Sequence, residues 1–468
     1  MSIKDQLKEI EISGARVLPL VEGGKGIAAS DGLSAGSWAA MDGVGTISAV
    51  NPHVPGQGDY ANMKSYSSSI RLERHKEMIE RAIAGGIAQA RIAYETACRR
   101  GRIHINVLWE MGGVDEILHG ILSKVKGMVH GVTCGAGMPF RLGEICAKYD
   151  VKYYPIVSSA RAFGILWKRA YNKFSQWLGG VVYEDPWLAG GHNGLSNNED
   201  EAQPESPEPR VRELRNVMRS FGIGDLLPIF MAGGVWCLSE WVNWINNPDL
   251  GTIAFQFGTR PLLTQESPIP ITWKKKLLTL KRGDVVLNRF SPTGFPSSAV
   301  KNNMLINLQQ RSARQVPFSA VPDATYTRPF YQSPRTPLFL TSTDYDDAMR
   351  WVKEGFVVGM KTPSRTIIFV TAEESQEIMH DRLHCIGCLS ACKFSGWRQD
   401  ADSKVPIVPD PRYFCIQKSL QRIASEGDAE NALMFCGHQG YRFAEDDFYK
   451  DGYIPTVKEL VERLQTGL

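Results

Sequence analysis

Seven times between Arg16 and about Leu308, a short β-branched run ends in a turn of glycines or small residues and gives way to helical sequence. Val17–Val21 runs into Glu22-Gly-Gly-Lys-Gly26, Ile103–Leu108 into Trp109-Glu-Met-Gly-Gly113, and Gly127–Thr133 into Cys134-Gly-Ala-Gly137. Tyr153–Val157, Gly180–Tyr183, Leu227–Met231 (before Ala232-Gly-Gly234) and Thr252–Phe257 (before Gly258-Thr259) continue the series. Strands alternating with helices read as a parallel α/β fold. The runs are continuously apolar, as in a sheet covered on both faces. Seven or eight such units favour a closed (β/α)8 TIM barrel over an open sheet. Barrels place their chemistry at the carboxyl ends of strands, where these glycines sit.

The 468 residues exceed what one barrel needs, roughly 250. The expected division is a barrel over 1–310, with inserted helices at about 60–101, followed by a mixed α+β extension over 311–468. The boundary is marked by Pro317, Pro322, Pro329, Pro334 and Pro337. With 53 Lys+Arg against 50 Asp+Glu the net charge is +3, and no basic block marks a nucleic-acid partner. No apolar run reaches the ~18 residues of a membrane span, and the first ten residues lack a signal-peptide core. The expectation is a cytoplasmic protein with a small-molecule substrate and, at most, a second copy of itself as partner. Nine cysteines in such a chain are expected to be reduced.

Two consecutive strand ends, Ala232-Gly233-Gly234 and Gly258-Thr259, offer bare amides where helices are expected to begin. Amides at a helix start bind anions, and in barrels the loops after the seventh and eighth strands commonly hold a phosphate. Gln256 flanks the second loop. His192, in Leu188-Ala-Gly-Gly-His-Asn-Gly194, is expected on an exposed rim loop with a pKa near neutrality, suited to proton transfer. His104 and His130, inside strands, read as packed core residues.

These segments resemble the nitronate monooxygenase (2-nitropropane dioxygenase) family, which includes FMN-dependent enoyl-ACP reductases. The resemblance is carried by Ala189-Gly-Gly-His-Asn-Gly194, Ile229-Phe-Met-Ala-Gly-Gly234 and Phe255-Gln-Phe-Gly-Thr-Arg260 through Ser267. Val132-Thr-Cys-Gly-Ala-Gly137 and Gly43-Val-Gly-Thr-Ile-Ser-Ala49 add to it, in order over roughly residues 15–305. It implies a TIM barrel binding FMN without a covalent link. Ala232, Gly233, Gly234, Gly258 and Thr259 would surround the phosphate, and Gln256 the ribityl chain. Gly23, Gly24, Asn106, Gly135, Gly190 and Gly191 would line the rest of the cofactor, with His192 as the catalytic residue. Two chemistries use the same residues: oxidation of a nitronate by oxygen, expected first, and reduction of an enoyl group with NAD(P)H as co-substrate. A flavin-binding electron-transfer or regulatory protein is the alternative of another class. The chain departs from the family at Lys25, where an apolar residue is usual, and in the polar Tyr183-Glu-Asp-Pro-Trp-Leu188.

Cys385-Ile-Gly-Cys388-Leu-Ser-Ala-Cys392 puts three thiols on a short segment, a spacing that can converge on zinc or an iron–sulfur cluster. The string resembles the cluster-binding segment of dienoyl-CoA reductases, though the nearest fourth ligand, Cys415, lies farther along than in that family. Buried reduced thiols or a redox-labile loop are the alternatives.

Overall fold

The computed structural model describes residues 3–54, 66–331, 337–399 and 407–468. Eight parallel strands close into a barrel: β1 (Leu20–Glu22), β2 (Val44–Ser48), β3 (Arg102–Leu108), β4 (Gly131–Gly135), β5 (Lys152–Val157), β6 (Val181–Glu184), β7 (Ile229–Ala232) and β8 (Ile253–Phe257). They neighbour one another in chain order, and β8 pairs with β1 through Phe255 and Leu20. The TIM barrel expected from the strand rhythm is therefore present. All five residues of β2 are buried, the polar Thr46 and Ser48 included, as are all four of β7, whose uninterrupted apolar run Ile-Phe-Met-Ala fits a strand covered on both faces.

The sequence runs and the strands differ at three places: Val44–Ser48, interrupted by Thr46 and Ser48, has no counterpart among the seven runs, and two runs are displaced. Val17–Val21 is split: Ala15–Val17 belongs to an antiparallel hairpin with Ile10–Ile12, and the barrel strand starts at Leu20. The strand expected over Gly127–Thr133 begins at Gly131 and extends to Gly135, because Val125–Met128 closes a turn. The hairpin contributes Ile12 and Val17 to a buried cluster with Val21, Val44, Tyr154, Val182, Phe230 and Ala254 from the strands. His104 lies in the same interior. Its Nε2 is 3.0 Å from Ser13 Oγ, its ring stacks on Tyr154 at 4.6 Å, and burial pushes its pKa down to about 3. It is a core histidine, as the sequence suggests.

Outside the barrel, helix Gly32–Ala40 lies so close on β2 that a Cβ at Gly45 would run into the Ala35 carbonyl. Within the inserted stretch, Arg71–Thr96 is one helix of 26 residues, packed on Gly32–Ala40 and Val114–Leu122. Residues 60–65 of that stretch lie outside the described residues. Beyond residue 311, Gln315–Pro317, Thr366–Val370 and Val358–Lys361 form an antiparallel sheet. The last helix, Val457–Gln465, returns to the barrel and packs on Gly32–Ala40, burying Val457, Leu460, Val461 and Leu464. A reciprocal Thr456–Glu459 capping box starts it. Among the described residues no helix is long and apolar enough to cross a membrane.

Candidate functional site

The carboxyl ends of the strands open into one cleft holding about 1830 Å³ of free space, its mouth included. Every residue expected from the sequence to touch the cofactor lines it: Gly23 and Gly24 after β1, Asn106 in β3, Gly135 in β4, and Gly190 and Gly191 after β6. Ala232, Gly233 and Gly234 follow from β7, with Gln256, Gly258 and Thr259 from β8, and His192 stands in the same wall. The chain therefore brings together thirteen residues drawn from six of the eight strand ends.

The β7–β8 corner is built for an anion. Gly233 and Gly234 both have positive φ (88° and 77°), which L side chains rarely adopt. Among the described residues the amides of Gly234, Gly258 and Thr259 have no acceptor. A Cβ on Gly258 would meet nothing within 4 Å, so space stands open at that amide. The Thr259 hydroxyl accepts from the Gly437 amide at 2.8 Å, which leaves its own proton to donate. Short 3-10 turns, Leu238–Trp244 and Arg260–Leu263, follow these loops instead of the α-helices expected. The anion would thus be held by local amides and a hydroxyl, with little helix dipole behind them.

The cations lining the cleft are committed elsewhere. Arg260 points away from it, donating to the Trp236 carbonyl, to Tyr449 Oη at 3.1 Å and to Asp446 at 3.5 Å. Lys25 folds back over its own turn. Its Nζ donates to Glu22 Oε1 at 3.0 Å and to the Gly23 carbonyl at 2.8 Å, and Ser34 Oγ donates to the same carboxylate oxygen at 2.8 Å. The lysine that departs from the family pattern thus neutralises a fully buried glutamate at the end of β1.

His192 sits differently from the exposed rim loop expected of it. Gly191–His192 is a short strand paired with Ser297–Ser298, itself paired with Val285–Asn288. Its Nε2 is 2.6 Å from Ser291 Oγ, and its ring meets Phe435 edge-on at 5.3 Å. Burial pushes its pKa down to about 4, so the imidazole is neutral at neutral pH. The expected near-neutral pKa does not hold, because the ring is packed against Phe435 and its residue is tied into the small sheet, which disfavours the charged form.

Two further groups of the cleft lie outside the segments that carry the resemblance. Glu184 ends β6, and no described side chain pairs with its carboxyl; burial, with Asp185 next to it, pushes its pKa up to about 8. The available signal was a carboxylate closing the apolar run Val181-Val-Tyr. Gln417, 5% exposed, accepts from Asn51 Nδ2 at 2.5 Å through Oε1, while its Nε2 has no partner among the described residues. No local pattern marks it. The far wall comes from the extension as well, through Ile416, Leu420, Ile423 and Phe435.

The cysteines form a separate group. Cys385, Cys388, Cys392 and Cys415 are all unpaired thiols, and each lies within electrostatic reach of the others. Burial holds Cys388 and Cys392 up, and raises Cys415 to about 12. Cys385 Sγ lies 3.2 Å from Ser395 Oγ and accepts from the Gly387 amide at 3.4 Å. Among the described residues no group of three or more ligating side chains is placed to hold a metal ion. Only Cys388 of the four reaches the cleft.

No protein-family model and no curated protein sequence matches this chain. Solved structures do, over nearly its whole length. FabK from Thermotoga maritima aligns at 15% identity over 99% of this chain and 94% of its own, with a TM-score of 0.51. A nitroalkane oxidase from Streptomyces ansochromogenes aligns at 14% identity over 96% of each chain, TM-score 0.51. The enoyl reductase domain of MlnA from the macrolactin biosynthesis cluster of Bacillus amyloliquefaciens aligns at 13% over 96% and 93%, TM-score 0.55. The chain shares their fold.

Proposed function

We propose that this chain is an FMN-dependent oxidoreductase of the nitronate monooxygenase and enoyl reductase family, and that it reduces the activated double bond of an apolar acyl substrate. The observation that carries the flavin reading is the convergence of all thirteen expected residues on one cleft, with unpaired amides at its β7–β8 corner. The residues fit a flavin phosphate: glycine backbone at Gly233, Gly234 and Gly258, and a donor hydroxyl on Thr259. Such a cofactor accepts and returns two electrons, while protein groups orient the substrate and handle protons.

The choice of chemistry follows from the far wall. Ile416, Leu420, Phe435 and Trp273 give the cleft an apolar stretch of lining besides its glycines. A small nitronate has no use for it, whereas an acyl chain buries itself there. NAD(P)H is the electron donor in this reading. The neutral His192, fixed through Nε2 by Ser291, polarises the carbonyl next to the double bond. Nitronate oxidation, the chemistry expected first from the sequence, becomes the rival that the experiment must separate.

Purified protein should carry FMN near one per chain; colourless protein that binds no added FMN overturns the flavin reading. NADPH should then bleach the flavin without oxygen, and a medium-chain enoyl thioester should restore its colour. Bleaching by propyl-2-nitronate and not by NADPH would assign the oxidase chemistry instead.

A further inference from the structure

The cleft separates its two proton-handling side chains by environment. His192 is neutral at neutral pH and has no spare proton to give, because burial has pushed its pKa to about 4. Yet reduction of a double bond needs a proton as well as a hydride. Hydride adds to the β-carbon, the π-electron pair moves toward the α-carbon and carbonyl, and the α-carbon must then be protonated.

Glu184 is placed to supply that proton. It closes β6 at the carboxyl end of the barrel, in register with Ala232 of β7, and lines the same cleft as His192. Strand ends on this face are where barrels present catalytic groups. No described side chain pairs with its carboxyl, so the proton is committed to nothing in the protein. The neighbouring strands end in Val157 and Ala232, neither of them titratable. Asp185, next along the chain, is turned into its own loop, where Oδ1 accepts from the Trp187 and Leu188 amides at 2.9 and 2.8 Å. The other titratable residues of the cleft are Lys25, bound to Glu22; Arg260, spent on Trp236, Tyr449 and Asp446; His192; and the thiols of Cys388 and Cys436. No cation therefore holds Glu184 ionised, and burial beside Asp185 keeps it protonated up to about pH 8. Paired groups driven apart in this way commonly divide the acid and electrophile roles.

We propose that Glu184 is the proton donor of this reaction, passing its carboxyl proton to the α-carbon of the reduced substrate. The inference rests on the reductase reading above. NAD(P)H supplies the electrons and one hydrogen as hydride, which FMN held by the glycine-lined strand ends would relay. The second hydrogen comes from Glu184, and the resulting carboxylate is reprotonated by water at the mouth of the cleft. NAD(P)⁺ and the saturated thioester are the products.

The test uses the full chain with its flavin bound, as wild type, E184Q and E184D. Each is reduced with NADPH without oxygen and mixed with a medium-chain enoyl thioester between about pH 6 and about pH 10. The wild-type reoxidation rate should fall tenfold per pH unit above about 8. E184Q should lose ~100-fold or more, the usual contribution of general acid catalysis, and show no alkaline limb. E184D should retain the limb. An E184Q rate within about threefold of wild type, or an unchanged limb in E184Q, overturns the proposal. Infrared difference spectra of wild type against E184Q, without substrate, give a separate reading. A protonated-carboxyl band should be present at neutral pH and vanish near pH 8; its absence at neutral pH refutes the role whatever the substrate. A wild-type flavin that NADPH bleaches but no enoyl thioester reoxidises overturns the reductase reading and this role with it, even where the infrared band is seen.

Discussion

Gly190 and Gly191 stand side by side in the cleft wall, but the structure gives them different reasons to be glycine. A Cβ on Gly190 would lie 2.5 Å from the Gly437 amide nitrogen and 2.6 Å from the Cys436 carbonyl carbon. Both are backbone atoms of the extension and neither can swing aside. A Cβ on Gly191 would meet nothing closer than Phe435 at 4.0 Å; there the cost is the positive φ of 77°. Gly190→Ala should therefore push segment 436–441 off the barrel, breaking the Gly437–Thr259 bond at the phosphate corner and the His438–Leu188 bond at 3.1 Å. Overpacking against rigid neighbours costs ~1–3 kcal/mol. Withdrawn from the closed cleft, that weakens FMN binding by about 5- to 150-fold. Gly191→Ala costs roughly 1–2 kcal/mol of local backbone strain and leaves the 436–441 contact in place. The assay pairs FMN titration with hydrogen exchange of the 436–441 amides, which reads the contact without the cofactor. The reasoning fails if Gly190→Ala keeps wild-type exchange in that segment, or if Gly191→Ala loosens it equally.

Three further expectations follow from single positions. Gly258→Ala places a methyl group in open space at a residue without positive φ, so apoprotein thermal stability should hold while FMN affinity falls tenfold or more; wild-type affinity would remove Gly258 from the phosphate site. Lys25→Met leaves the buried Glu22 carboxylate without its cation, which should cost about 3 kcal/mol and several degrees in thermal midpoint. The double variant with Glu22→Gln should recover most of that loss, and no recovery would mean that Lys25 serves another purpose. The third concerns acid. His104, His130 and His192 have folded pKa values near 3, 4 and 4, below the usual 6.5, so the unfolded chain binds their protons first. Their contribution is complete above pH 6.5 and is lost as pH falls through the window from 6.5 toward 4. The thermal midpoint should fall across that window, and a flat profile would show that these rings are not held neutral.

The barrel was legible because β1 and β3 through β8 fall in largely apolar runs, most of them ending in glycine or other small residues, and both properties are local; β2, with Thr46 and Ser48 in it, gave no such run. The split at Val17–Val21 was not: a residue that leaves a strand for a hairpin under the barrel looks the same in sequence as one that stays. The cofactor corner was legible for the same local reason, glycine where backbone must meet a ligand. His192 could be placed on the right face, but its protonation could not be read. That depends on burial among residues distant in sequence, Ser291 from the turn between Val285–Asn288 and Ser297–Val300 and Phe435 from the extension. Glu184 carried a weak signal, as a carboxylate at an apolar strand end. Gln417 carried none, because its partner Asn51 lies 366 positions away.

The charge arrangement at the phosphate corner leads to one more expectation. A flavin phosphate at Gly233, Gly234, Gly258 and Thr259 would ordinarily be expected beside a lysine or arginine. Here Lys25 is bound to a fully buried carboxylate, and Arg260, 1% exposed, has its donors on Trp236, Tyr449 and Asp446. What remains for the anion is short-range: amide dipoles and one hydroxyl, in a cleft partly closed by residues 435–437. Salt screens separated exposed charges over ~10 Å at 0.1 M but hardly affects direct hydrogen bonds in a water-poor site. FMN affinity should therefore change by less than about threefold between low and roughly 0.5 M sodium chloride. A loss of tenfold or more would mean that a free cation carries the phosphate, and that the Lys25–Glu22 or Arg260–Asp446 pairing opens when the cofactor binds.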